Sequence, residues 1–158
     1  MSNGTFTVKR DELIVVMERT FDAPRDVVFP AFIDPRAIPK WWGPRHLTTT
    51  VDVMDMRQGG AWRFVCRDSR GHEHGFHGVH KTIDPPKLLS STFNYEGIPG
   101  HHELIQTAIF EDLGTRTKVT SAAAYASVED LDGMVASGME SGATESWERL
   151  AELLKKTT

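Results

Sequence analysis

For most of its length this chain alternates apolar and polar residues, and toward its C-terminus the period lengthens to that of a helix. Residues 6–21 alternate as a strand with a break expected at Arg10-Asp11-Glu12, and Leu13-Ile14-Val15-Val16-Met17 is strongly β-prone. Ala23-Pro24 then opens a helix with proline in the first turn, where its missing N–H costs nothing, and Val28, Phe29 and Phe32 supply the apolar side. Pro30 would remove a helical hydrogen bond, so a kink or an early end is expected there. Asp34-Pro35 repeats the start signal, and the short helix it opens ends before Pro39 or at Trp41-Trp42-Gly43-Pro44.

Six strand-like runs follow, over residues 47–56, 61–67, 74–83, 88–95, 102–110 and 115–125. Gly59-Gly60, Ser69-Arg70-Gly71, Asp84-Pro85-Pro86, Gly97-Ile98-Pro99-Gly100 and Asp112-Leu113-Gly114 punctuate them, the spacing of antiparallel strands. A final helix starting at Ser127 or Glu129-Asp130 carries Leu131, Val135, Met139, Trp147, Leu150 and Leu154 on one face. Gly138 and Gly142 fall on or near that face. Glycine within a helix costs about 1 kcal/mol relative to alanine, so two of them one turn apart need a reason. Either a second backbone packs closely there, or space is left open. The element order predicts an α+β fold in which a curling antiparallel sheet is covered by the long C-terminal helix, with two short helices after the first strand.

Composition narrows the function classes only a little. The 158 residues suit one domain, 1–158, with one core, and 39% apolar and 25% charged residues are ordinary for a soluble protein. A net charge of −4 with scattered Lys and Arg argues against nucleic acid or an anionic membrane as the partner. Cys66 is the sole cysteine, which excludes an internal disulfide and suits a reducing compartment. Met1-Ser2-Asn3-Gly4-Thr5 lacks the charged-then-apolar signal pattern, and no apolar run approaches a membrane span, so a cytoplasmic protein without membrane insertion is expected.

Several short motifs are then informative by their order. They are Arg19-Thr20-Phe21-Asp22-Ala23-Pro24, Val28-Phe29, Asp34-Pro35, Trp41-Trp42-Gly43-Pro44, Gly59-Gly60 with Trp62-Arg63-Phe64, Gly78-Val79, Pro85-Pro86 with Leu88, and Gly138-Met139-Glu140-Ser141-Gly142 before Trp147, Leu150 and Leu153-Leu154. Together they resemble the family named for the activator of the heat-shock-protein-90 ATPase, in its short bacterial form, within the START-like, helix-grip (SRPBCC) superfamily. The resemblance covers roughly residues 13–155. It implies a curved antiparallel sheet gripping a C-terminal helix, with a cavity between them. The superfamily includes lipid carriers, hormone receptors, cyclases and co-chaperone domains, so fold alone does not fix function. The eukaryotic co-chaperone has an additional N-terminal domain without an equivalent here, so a co-chaperone role does not follow from the family name.

The leading expectation is a protein that binds a small apolar or amphipathic molecule between sheet and helix. Candidate lining residues are Phe32, Trp42, Trp62, Phe64, His77, Phe93, Met134, Gly138, Met139 and Gly142. Trp62 and Phe64 share a strand face, as do Phe93 and Tyr95. Arg63 could anchor an acidic head group or form an outer-face ion pair. A cavity enzyme of cyclase or hydrolase type is the second class, with His77 and Glu103 as a possible acid–base pair. A protein-interaction module, including chaperone or homodimer contacts, is the third. No catalytic residue and no cofactor is assigned. Six of the seven histidines lie between His72 and His102, and antiparallel order could bring His72 or His74 near His101 or His102. None has compact metal-ligand spacing, so no metal site is assigned.

Overall fold

The computed structural model describes residues 4–100 and 102–157. Strand β1 (Gly4–Lys9) and β2 (Ile14–Phe21) are joined by a 3-10 turn at Arg10–Glu12, the break expected from the charged triplet. Helices α1 (Arg25–Ile33) and α2 (Ile38–Trp41) come next, then β3 (Thr48–Met54), β4 (Ala61–Arg67), β5 (Glu73–Asp84), β6 (Leu88–Tyr95), β7 (Leu104–Asp112) and β8 (Thr117–Ala124). The strands form one curved antiparallel sheet in the order β1-β2-β8-β7-β6-β5-β4-β3. Register irregularities at Val51/Val53 and His80/Thr82 mark bulges, which bend and twist strands locally.

Register assigns the faces. Trp62 pairs with Gly78, Phe64 with Phe76, Phe76 with Tyr95 and Phe93 with Leu104, so these residues share the face toward the helices. Val15, Met17, Arg19 and Phe21 continue that face opposite Ala123, Ser121, Val119 and Thr117. Phe21 meets Trp147 of the C-terminal helix edge-on at 5.6 Å. The main core joins Phe21, Val28, Phe29, Ile38, Trp41, Trp62, Phe64, Phe110, Val119, Trp147, Leu150 and Leu154. A second cluster gathers Val15, Leu104, Ala123, Tyr125 and Leu131, and Phe93 touches both.

The C-terminal segment departs from the expected single helix. It is two helices, α3 (Val128–Ala136) and α4 (Met139–Thr157). Ser127 caps α3 by accepting from the Asp130 amide at 3.1 Å. Gly138 ends it with φ +87°, a left-handed conformation that glycine adopts without a Cβ penalty. Gly138 is therefore an exposed hinge between helices, not part of a buried helical face. Pro30 also differs from expectation. It is exposed on α1, which continues to Ile33. Phe29 and Ala31 on either side are buried, so packing holds the helix together despite the lost hydrogen bond.

Polar clamps place α4. Ser146 Oγ donates to the Trp41 carbonyl at 3.0 Å and accepts from the Gly43 amide at 3.1 Å. Arg149 donates to the Gly43 carbonyl at 2.8 Å, and Arg45 pairs with Glu152 at 2.6 Å. Thr49 Oγ1 donates to the Trp42 carbonyl at 2.6 Å, tying the same turn to β3. Buried polar groups with partners on two elements fix one geometry, because leaving either unpaired is costly.

Candidate ligand site between the sheet and the C-terminal helix

Helical periodicity gives α4 two flanks on either side of its buried stripe. Gly142, Ser146 and Arg149 stand at i, i+4 and i+7, on the flank that the Ser146 and Arg149 hydrogen bonds turn toward the Trp41–Pro44 turn. Glu140, Thr144 and Trp147 make the other flank, which faces β1 and β2. A Cβ added at Gly142 would meet no heavy atom within 4 Å. The glycine therefore borders open space and is not the seam of a tight backbone contact.

The helix-facing side of the sheet carries connected aromatic rings. Trp42 lies edge-on to Phe64 and Phe76 at 5.1 and 5.2 Å, Trp62 packs on Phe64 and Phe93 at 4.9 and 5.8 Å, and Phe76 reaches Phe93 at 5.6 Å and stacks on Tyr95 at 5.0 Å. Such pairs gain energy beyond their area burial and hold one another in place. Trp62 and Phe64 are buried, whereas Trp42, Phe76, Phe93 and Tyr95 keep exposed edges. The Trp62 indole donates to the Thr92 carbonyl at 3.2 Å and passes over Gly78, where a Cβ would sit 2.6 Å from its Nε1. A Cβ at 78 would also run into the Thr92 carbonyl, so glycine there admits both the indole and that carbonyl.

The sequence candidates separate into three groups. Trp42, Trp62, Phe64 and Phe93 share this wall, and Gly142 stands on the α4 flank turned toward the Trp41–Pro44 turn, with no heavy atom within 4 Å of the place of its missing Cβ. Met134 and Met139 pack on the second cluster, with the Tyr125 hydroxyl 3.6 Å from the Met139 sulfur. Phe32 instead packs between Trp41 and Phe110 at 4.9 Å from each, half-buried against the main core. Gly138 is at the exposed hinge. His77 is on the opposite face of the sheet, because it pairs with Arg63 while its neighbour Gly78 pairs with inward-facing Trp62. Phe76, absent from the candidates, takes the inward position. Glycines and histidines in β5 hide its alternation, although the Phe64↔Phe76 register fixes it.

The outer face carries its own charge network. Arg63 bridges Asp52 at 3.1 Å and Glu96 at 2.8 Å, and His77 Nδ1 lies 2.8 Å from Glu96. The Arg63 guanidinium, aided by His77, holds the Glu96 carboxyl down at about 2. Arg63 is thus the outer-face ion pair rather than an anchor within the fold. His77 with Asn94, Glu96, Ile98, His102 and Glu103 lines a polar groove of about 480 Å³ here. His77 and Glu103 are not an acid–base pair: His77 contacts Glu96, and Glu103 accepts from Asn94 at 3.1 Å.

Of the described histidines in the expected cluster, His72 and His74 share one carboxylate and His102 has another. His72 and His74 lie near Asp68, and His102 pairs with Asp130 of α3 at 2.7 Å, a contact that raises its pKa above the ordinary value. His101 lies outside the described residues. Among the described residues no group of three or more His, Cys, Asp or Glu side chains is placed to hold a metal ion. No described helix is long and apolar enough to cross a membrane. The Cys66 thiol is buried against Thr49 Oγ1 at 3.3 Å, and burial raises its pKa.

A curved antiparallel sheet wrapped on a C-terminal helix, with two short helices after the second strand, defines a START-like, helix-grip protein. Solved structures share this architecture. A protein of Arthrobacter aurescens solved by NMR superposes with a TM-score of 0.90 at 24% identity, covering 96% of this chain and 91% of that one. A Rhodobacter sphaeroides crystal structure gives 0.89 at 23% identity, covering 98% and 99%. The AHSA1 protein of Silicibacter pomeroyi gives 0.77 at 21% identity, covering 92% and 99%. No curated protein matches the sequence. Residues 22–155 match the family described as activator of Hsp90 ATPase homolog 1-like protein, and the chain belongs to that family.

Proposed function

We propose that the protein binds a small apolar or amphipathic molecule against the aromatic wall of Trp42, Phe76 and Phe93, beside the Gly142 flank of α4. One observation carries the reading. Large rings keep exposed edges on the helix-facing side of the sheet, and the helix opposite has open space where a side chain would stand. A ligand there gains roughly 25 cal/mol for each Å² of apolar surface removed from water. Rings already locked against Trp62 and Phe64 lose little entropy when it docks. The wall offers few charged groups, which favours uncharged or weakly polar ligand surface.

The test is titration with N-phenyl-1-naphthylamine, an uncharged apolar dye that brightens on leaving water. One saturable site is expected in the native protein, and Gly142→Leu should weaken it by about tenfold or more while preserving the fold. Equal affinity in the two proteins would refute this location. Native mass spectrometry of freshly purified protein would identify a retained natural ligand by its mass.

A further inference from the structure

The other flank of α4 closes a different recess. It measures about 160 Å³ and is bounded by Phe6 of β1, Met17 and Arg19 of β2, and Glu140, Thr144 and Trp147 of α4. Arg19 is the unusual group in it. Its register opposite Val119 puts it on the helix-facing side of the sheet, and its guanidinium carbon lies 5.4 Å from the centre of the Phe21 ring. Its Nε is buried with no hydrogen-bond partner. No carboxylate among the described residues pairs with it. Glu18 also borders the recess but its carboxylate is bound to Lys118 at 3.2 Å, and Glu140 stands at the exposed rim with no ion pair among the described residues. The ring contact favours the cation, whereas the buried Nε–H without a partner is costly.

We propose that Arg19 is the anchor of a second binding site, specific for the carboxylate of a small aromatic or short-chain organic acid. Because Nε is enclosed, the edge left for a ligand is that of the two terminal nitrogens, whose N–H groups lie side by side and match the two oxygens of a carboxylate. Such a ligand supplies the guanidinium with the carboxylate that no described residue gives it. Its apolar part enters a recess walled by Phe6, Met17 and Trp147, and a cavity of about 150 Å³ is enough for a benzene-sized group. The site goes beyond the apolar ligand proposed above. It lies on the Glu140–Thr144–Trp147 flank, so Gly142→Leu leaves it intact. Glu140 at the rim opposes an anion by like charge and so tunes affinity.

Benzoate, with neutral benzamide as control, is the probe, and the readout is the Arg19 Nε–Hε resonance in nitrogen-15 NMR together with calorimetric affinity. Saturable movement of that resonance with benzoate and not with benzamide is expected. Arg19→Met should weaken benzoate about tenfold or more, Glu140→Gln should tighten it, and Gly142→Leu should leave it unchanged. Should Arg19→Met fail to fold, Thr144→Leu fills the recess from an exposed helical position and should also abolish binding. Equal binding of benzoate and benzamide, full benzoate affinity in Arg19→Met or Thr144→Leu, or a stationary Arg19 resonance would overturn the proposal.

Discussion

Alanine at positions 138 and 142 should move stability in opposite directions, although the two glycines are one turn apart. A Cβ at either position meets no heavy atom within 4 Å, so neither substitution causes a clash. The difference lies in the backbone. Gly142 is within α4, its amide bonded to the Gly138 carbonyl at 3.3 Å, and alanine there gains up to about 1 kcal/mol in helix propensity. In a chain of this size that corresponds to a melting temperature higher by about 2–4 °C. Gly138 has φ +87°, where an L side chain costs roughly 1–2 kcal/mol, so Gly138→Ala should lower the melting temperature by at least as much. Thermal unfolding of the two variants followed by circular dichroism decides. A lower melting temperature for Gly142→Ala would mean that the helix is seated on another backbone there, and the open-space argument would fail. A higher one for Gly138→Ala would mean that the chain runs through this point as one helix.

Two further expectations concern other parts of the molecule. Ser146→Ala removes two hydrogen bonds to the Trp41–Gly43 turn and leaves a buried amide and carbonyl short of partners, which should cost about 1–3 kcal/mol in chemical denaturation; a loss below 0.5 kcal/mol would contradict the clamp. Glu96, held at about 2 against an ordinary 4.5, contributes stability that is fully present above about pH 4.5 and is lost as pH falls toward 2. Because its pair with Arg63 is on the outer surface, added salt should shrink this contribution. Urea midpoints across that pH range should fall more steeply in the native protein than in Glu96→Gln, and parallel curves would refute the pairing.

What the sequence disclosed, and what it hid, follows from the range of each interaction. Period-two alternation in β4 places Trp62, Phe64 and Cys66 on one buried face, as observed. The charged triplet 10–12 marks the first turn and Ser127 marks the start of α3, because these signals act over a few residues. Gly138 was ambiguous for the same reason: its spacing fits a helical face, while its role depends on a left-handed φ that spacing does not encode. His77 and Phe76 depended on strand register, which is set by partners far along the chain. Arg19 gives no sequence signal as a binding group, since its lack of a partner exists only once β2 and α4 are packed together.

The four indole N–H resonances offer the most direct test of the apolar site. Those of Trp41 and Trp62 are already engaged, by the Ala31 and Thr92 carbonyls, and Trp147 belongs to the opposite flank of α4. Titration with N-phenyl-1-naphthylamine should move the Trp42 resonance saturably and leave that of Trp147 in place. Movement of Trp147 with Trp42 stationary, or no saturable movement at all, would contradict the assignment of the ligand to the wall beside Gly142.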